Sequence, residues 1–332
     1  MSGTRFRTAL IGFGRMASGY AQDPAMARHF RYAAHAQVLA AHPRFEWSAV
    51  IDPADAARAH AEADWRIAAA PDIAALGERA AQVEVAVLAT PPGQRATFID
   101  QLPALRAVLV EKPLGTSLEA ARAFLESCER RGILVQVNFW RRADRQFRAL
   151  AGGRLRELIG TPQAVSIYYG NGLLNNGSHM IDFARMLFGE VGEARRLGAA
   201  PAFREGPIDG DSNVPFVLSM RSGLDVSFQP LRFARYRENG LIAWGEQGRF
   251  DVLNEGLTLL HYPVAANRAM SGESEVASDA PHRLDSSAGD ALYAMYDNLA
   301  AVLDGRDTLW SPGDSALESS RVVHAVEACC RA

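Results

Sequence analysis

Three clusters of residues in this chain are of types and spacings that do chemistry. In Glu111-Lys112-Pro113 the proline restricts the lysine before it to extended backbone, so the ammonium is aimed rather than free. An aimed ammonium can stabilise a developing alkoxide, and the Lys112–Pro113 bond is a candidate cis bond. In Asn175-Asn176-Gly177-Ser178-His179-Met180-Ile181-Asp182, His179 and Asp182 lie three apart and share a helix face. The acid can then orient an imidazole whose ordinary pKa, about 6.5, suits a general base near neutral pH. Taken singly, each has a plainer reading: a lysine in a turn, and a capped helix with a core histidine. The third cluster binds rather than reacts. Thr8 to Ile11 is a short apolar run that enters Gly12-Phe13-Gly14-Arg15-Met16-Ala17, a G-x-G-x-x-A turn. Gly12 suits a tight turn, Gly14 lets a pyrophosphate approach the main chain, and Ala17 allows close helix packing. The N–H groups of the following helix would then face the phosphates.

The elements that must position these residues follow from periodicity. Arg15 to His42 reads mostly as helix, interrupted near Asp23-Pro24. Phe45 to Ile51 reads as a strand closing on Asp52. An acid there accepts hydrogen bonds from the adenosine ribose and repels a 2′-phosphate, whereas a plain turn residue before Pro53 is the alternative. Gly14 and Asp52 are 38 positions apart, against about 20 in the usual spacing, which predicts an insertion around Tyr20 to His35. The strand 83–89 closes on Thr90-Pro91-Pro92-Gly93, a loop expected to face the ligand crevice. Helix 94–105, strand 107–110, helix 117–131 and strand 133–138 follow. This alternation predicts a parallel, doubly wound sheet. Beyond it Arg141 to Leu158 is a basic, helix-like run. Strands are predicted at 163–169, 194–200, 214–221, 224–230, 241–246, 249–254 and 257–262, with helix 177–188 between the first two. Turn signals at Arg221-Ser222-Gly223 and Gln247-Gly248 point to antiparallel pairing. Residues 264–288 read as a long polar loop, and helices 289–304 and 313–330 close the chain. The fold class expected is α/β: a Rossmann domain over 1–140, then an α+β domain over 141–332 with a large open, mainly antiparallel sheet.

The 332 residues are too many for one ordinary core and fit two domains. A formal net charge of -3 gives no electrostatic reason to expect nucleic acid or an anionic membrane. No apolar run approaches the roughly 20 residues that span a bilayer, and no leader layout precedes the first strand, so a cytoplasmic protein is expected. Cys128, Cys329 and Cys330 form no C-x-x-C pair and no ligand cluster, so no metal is expected. Too few helices are predicted to cover both faces of the second sheet, so a homodimer or homotetramer is expected.

Gly12-Phe13-Gly14, Glu111-Lys112-Pro113, the Arg141-Arg142 pair and Gly177-Ser178-His179-Met180-Ile181-Asp182 occur in the order and spacing of one family. Over nearly its whole length the chain resembles the glucose–fructose oxidoreductase / inositol dehydrogenase (Gfo/Idh/MocA) family. The resemblance implies hydride transfer between a nicotinamide cofactor and a hydroxyl carbon of a sugar, sugar nucleotide or cyclitol. It implies that Lys112 and His179 flank the reacting carbon as the catalytic pair. Asn175, Asp182, Trp140 and Arg141 would meet the substrate. Gly12, Phe13, Gly14, Arg15, Met16, Asp52, Thr90, Pro91, Glu111 and Lys112 would meet the cofactor, NAD in preference to NADP. Many members carry aspartate where this chain has Asn175, and a small or polar residue where it has Trp140. Other readings of the same fold are a dinucleotide-binding sensor and a glycosidase that recycles bound NAD.

Overall fold

The computed structural model describes residues 4–198 and 202–331. They form two compact units, one of residues up to Asp144 with Gly289–Leu317, the other of Arg145–Ala288 with the residues from Glu318 onward. Residues 289–317 thus return to the first unit, which a contiguous division at residue 140 does not contain.

The first unit is built on β1 (Phe6–Ile11), α1 (His35–Ala41), β2 (Phe45–Ile51), α2 (Asp55–Trp65), β3 (Ala69–Ala70), β4 (Val85–Leu88), α3 (Arg95–Asp100), β5 (Ala107–Val110), α4 (Leu118–Arg130) and β6 (Leu134–Val137). Its six strands are all parallel, in the order β3-β2-β1-β4-β5-β6. The order reverses at β1, so the turn after β1 opens on the crevice where such sheets bind ligands. Strands β4 and β5 are buried along their whole length, which is why they read as unbroken apolar runs rather than alternating ones.

The stretch after the Gly-rich turn corrects the expected long helix. One turn forms, with the Ser18 N–H donating to the Gly14 carbonyl, and the chain then leaves as two short 3-10 turns, Gly19–Gln22 and Met26–Arg28. Helix α1 begins only at His35. The N–H of His35 donates to the Met16 carbonyl (3.2 Å) and that of Ala36 to the Ala17 carbonyl (2.8 Å). Each bond spans nineteen positions where an α-helical bond spans four, so fifteen residues are looped out of a helix whose bonding otherwise continues. That loop is the insertion the long Gly14-to-Asp52 spacing implied.

The second unit holds α5 (Arg145–Ala149), α6 (Leu155–Ile159), β7 (Pro162–Tyr169), α7 (Ser178–Phe188), β8 (Val191–Arg196), β9 (Phe216–Met220), β10 (Asp225–Pro230), β11 (Gly240–Gly245), β12 (Gly248–Leu253), β13 (Thr258–Ala266), β14 (Ser274–Val276) and β15 (His282–Leu284). Helix α8 (Ala291–Leu303) belongs to the first unit, and α9 (Gly313–Arg331) carries the chain from the first unit into the second. The second sheet runs β14-β13-β12-β11-β7-β10-β9-β8, with β15 also on β13. Every pair is antiparallel except β7 with β10. Residues 264–288, expected as loop, therefore contribute two short strands. The predicted strand 194–200 runs over 191–196, and residues 199–200 lie outside the described ones. The register puts Val165, Ile167, Phe216, Phe228, Ala243 and Phe250 on one buried face. Phe216 and Phe228 stack there at 4.3 Å. The other face carries Trp244, 42% exposed, with Arg249 lying over it and over Tyr262.

Candidate active site

The phosphate turn has the local geometry its glycines imply. Gly12 has φ +86°, and a Cβ there would lie 2.8 Å from both the Ala89 carbonyl oxygen and Thr90 Cγ2, so no other residue fits. A Cβ on Gly14 would meet nothing within 4 Å. Space above Gly14 is what a pyrophosphate against the main chain requires. The N–H groups of Gly14, Arg15 and Met16 donate to no main-chain carbonyl among the described residues. The Phe13 ring points into the protein against His60 and Trp47, and its N–H donates to Asp52 Oδ2 at 2.7 Å. Asp52 Oδ1 accepts from the Ala54 N–H at 2.9 Å. The carboxylate thus ties the end of β2 to the turn. Arg58, which the sequence reading passed over, donates to the carbonyls of Asp52 and Pro53 and pairs with Asp55. Arg15 is exposed and lies over Tyr20, and Met16 is half-buried.

Three adjacent strand ends carry the next residues: Thr90 beyond β4, Glu111 and Lys112 beyond β5, and Asn138 beyond β6. The Lys112–Pro113 bond is cis, and Lys112 is half-buried. Thr90 Oγ1 and Asn138 Oδ1 are buried and make no hydrogen bond among the described residues. Buried polar atoms without partners are rare and call for a ligand or water. Pro91 is exposed. Glu111 Oε1 accepts from Asn138 Nδ2 at 2.6 Å and from His35 Nε2 at 2.9 Å. Burial works against the Glu111 charge, yet these bonds and the nearby Lys112 ammonium hold its carboxyl below the usual carboxylate range. His35 Nδ1 lies 2.8 Å from the Tyr296 hydroxyl. Burial and the Glu111 charge push that phenol well above its ordinary 10.

Arg95 is a second residue the sequence reading missed. It is 1% exposed and donates to the carbonyls of Thr90, Pro113 and Leu114, so it staples the β4 loop to the Lys112 bend. Burial lowers its pKa to about 10, against the pull of Glu111. The available signal was an arginine in the first turn of a helix, where a cation opposes the dipole and so needs another reason to be there.

In the second unit, His179 sits in the first turn of α7 and is half-buried, as is Asn175 just before it. Asp211, 4% exposed, anchors this segment by accepting the N–H groups of Leu174 (3.0 Å) and Asn175 (3.1 Å). Burial raises the Asp211 pKa and these bonds oppose the rise. Asp182 is 1% exposed; its Oδ1 accepts from Ser319 Oγ at 2.8 Å and lies 3.6 Å from Arg185. Arg185 also grips Glu190 through two bonds. Trp140 and Arg141, in the first unit, stack with the guanidinium 4.5 Å from the ring, and Arg141 is buried. Among the described residues no group of three or more His, Cys, Asp or Glu could hold a metal.

Residues 6–139 match the family model described as "Oxidoreductase family, NAD-binding Rossmann fold". Over that stretch the first unit is similar to the Gfo/Idh/MocA oxidoreductases. The chain is 27% identical over 235 residues to the rhizopine catabolism protein MocA of Rhizobium meliloti, covering 65% of this chain and 67% of that protein. It is 31% identical over 161 residues to D-apiose dehydrogenase of Paraburkholderia graminis, 42% and 41% of the two chains. The match to the apiose enzyme thus spans less than half of that protein. Among solved structures, the WlbA dehydrogenase of Bordetella pertussis, in complex with NADH and UDP-GlcNAcA, superposes with a TM-score of 0.70 at 19% identity, covering 100% of this chain and 97% of that one. At that identity the likeness shows a shared fold: a Rossmann unit followed by a second, mainly antiparallel sheet, as found here. The Gly12–Gly14 turn, with space above Gly14 and with Gly14, Arg15 and Met16 N–H groups that meet no main-chain carbonyl among the described residues, fits the pyrophosphate of a dinucleotide.

Proposed function

We propose that this Gfo/Idh/MocA oxidoreductase transfers a hydride to or from a hydroxyl-bearing carbon of a sugar, sugar nucleotide or cyclitol, with Lys112 and His179 as its catalytic pair. The observation that carries the reading is the Glu111–Lys112 strand end, set between two buried unpartnered polar atoms beside the phosphate turn. Bound nicotinamide supplies the hydride acceptor or donor. Lys112, as ammonium, stabilises alkoxide character on the substrate oxygen. His179 takes the hydroxyl proton in oxidation and returns it in reduction. Asn175 and the Trp140–Arg141 pair are assigned to substrate contact. Asp182, engaged by Ser319 within the buried Arg185 cluster, is assigned to holding α7 in place.

NAD is the cofactor proposed over NADP, because the Asp52 carboxylate opposes a 2′-phosphate. A homodimer or homotetramer is proposed through the sheet face that carries Trp244 and Tyr262. Light scattering that finds only a 36.0 kDa species at micromolar concentration refutes it. The activity is tested by incubating the protein and NAD with aldoses, cyclitols and nucleotide sugars and following absorbance at about 340 nm, the reduced nicotinamide band. Reduction with none of these classes, alongside tight NAD binding, would replace the enzyme reading with that of a sensor.

A further inference from the structure

The Glu111 carboxylate stands next in sequence to Lys112, and the two side chains that hold it come from separate elements. Asn138 reaches it from the end of β6 and His35 from α1, both on the same oxygen. The imidazole is itself fixed, 0% exposed, with its other nitrogen on the Tyr296 hydroxyl of α8. Its ring has no freedom to turn without breaking one bond or the other. A buried three-member chain of this kind is costly unless every member is satisfied, and here the satisfied bonds converge on the residue beside the lysine. Arg95, from α3, is the remaining charge that faces Glu111, and it is committed to main-chain carbonyls.

We propose that His35 is a positioning residue: clamped by Tyr296, it fixes the Glu111 carboxylate as the oriented counter-charge that directs the Lys112 ammonium. The inference rests on the catalytic role proposed for Lys112. It explains why α1 resumes its helical bonding at the residue it does. The residue whose N–H resumes the helical bonding, to the Met16 carbonyl, is the one that makes the contact, so the loop leaves His35 in register with the phosphate turn.

The test uses the full chain and three variants of the pair: His35→Leu, His35→Gln, whose carboxamide N–H can replace Nε2–H, and Glu111→Ala. With NAD and the substrates myo-inositol, D-apiose and UDP-N-acetylglucosamine, His35→Leu should lower kcat by about tenfold. KM for NAD should stay within about threefold, and His35→Gln should recover most of the loss. A rise in KM with kcat unchanged, or equal losses in both variants, overturns the positioning role. Thermal melting of His35→Leu, of Glu111→Ala and of the variant that combines these two decides the tether without turnover. Strong non-additivity supports it and additive losses refute it. Should no substrate be oxidised by the unaltered protein, the hydride-transfer reading fails while the melting cycle still decides whether His35 holds Glu111.

Discussion

Asp52 has two roles that a single substitution separates. Its oxygens each accept one main-chain N–H, from Phe13 in the phosphate turn and from Ala54. Its charge also sits at the end of β2, where an adenosine ribose is held in this fold. Two unit charges about 5 Å apart at an effective dielectric of about 20 repel by about 3 kcal/mol. A 2′-phosphate gains part of this back from solvent. NADH should therefore bind more tightly than NADPH by about 10- to 100-fold, since tenfold is about 1.4 kcal/mol. In Asp52→Asn the amide keeps one acceptor, so one of the two N–H groups loses its partner at a cost of about 1–3 kcal/mol. Affinity for NADH falls, the repulsion disappears, and the ratio of the two dissociation constants moves about tenfold toward unity. Fluorescence titration of both reduced cofactors against both proteins measures this directly. A wild-type ratio near one, or an unchanged ratio in a destabilised Asp52→Asn, would reduce Asp52 to a turn anchor and sink the charge argument.

Further expectations can be checked independently. His179→Ala should slow sugar oxidation by about 10² to 10⁴, and Asn175→Asp should raise the acidic limb of the kcat/KM profile by about one pH unit, because a nearby carboxylate favours the imidazolium; an unmoved limb that still depends on His179 rejects that coupling. Deleting Gly19–Ala33 should leave a folded protein with NADH affinity within about threefold. The loop-closure entropy recovered, about 2 kcal/mol, offsets the lost Tyr32–Tyr293 ring contact and the bond from the Tyr32 N–H to the Gly289 carbonyl; loss of NADH binding refutes this. Cys128 is fully buried, and burial pushes its thiol up to about 12. It should resist Ellman's reagent at pH 8 in the native protein and react only on unfolding, as a timed labelling experiment will show.

What the sequence disclosed and what it withheld divide along physical lines. The Gly12–Ala17 turn, the Glu111-Lys112-Pro113 strand end and the α7 motif were legible because each is a local pattern, fixed by backbone conformation or helix spacing. Most strands of both sheets were legible from alternation or from unbroken apolar runs, whereas β14 and β15, three residues each, lay in a stretch that reads as loop. The two-residue β3 left no periodic trace, being shorter than any pattern. The helix after the turn was misread because Tyr20 to Tyr32 carries helix-compatible residues, while its fate depends on bonds that close across the loop. The bonds made by His35, Arg95, Tyr296 and Asp211 were invisible for a common reason, even where, as for Arg95, the residue's place in a helix first turn marked it as unusual. Their partners lie 76, 18, 261 and 37 positions away, and nothing in a lone arginine or histidine announces a partner that distant.

The fifteen looped-out residues make chain continuity and structural continuity two different things at the phosphate turn. Gln22 to Ala25 and Ala27 to His29 are exposed, while the bonds from His35 and Ala36 back to Met16 and Ala17 close the helix behind them. A protease that cuts there severs the polypeptide without severing that helix. The protein would then persist as two fragments, a short N-terminal peptide ending near Gln22 and the remainder of the chain. They would be held together by β1 in the centre of its sheet, separable by denaturant and in principle able to recombine. The phosphate turn would travel with the smaller fragment, so cofactor binding would become a measure of reassembly.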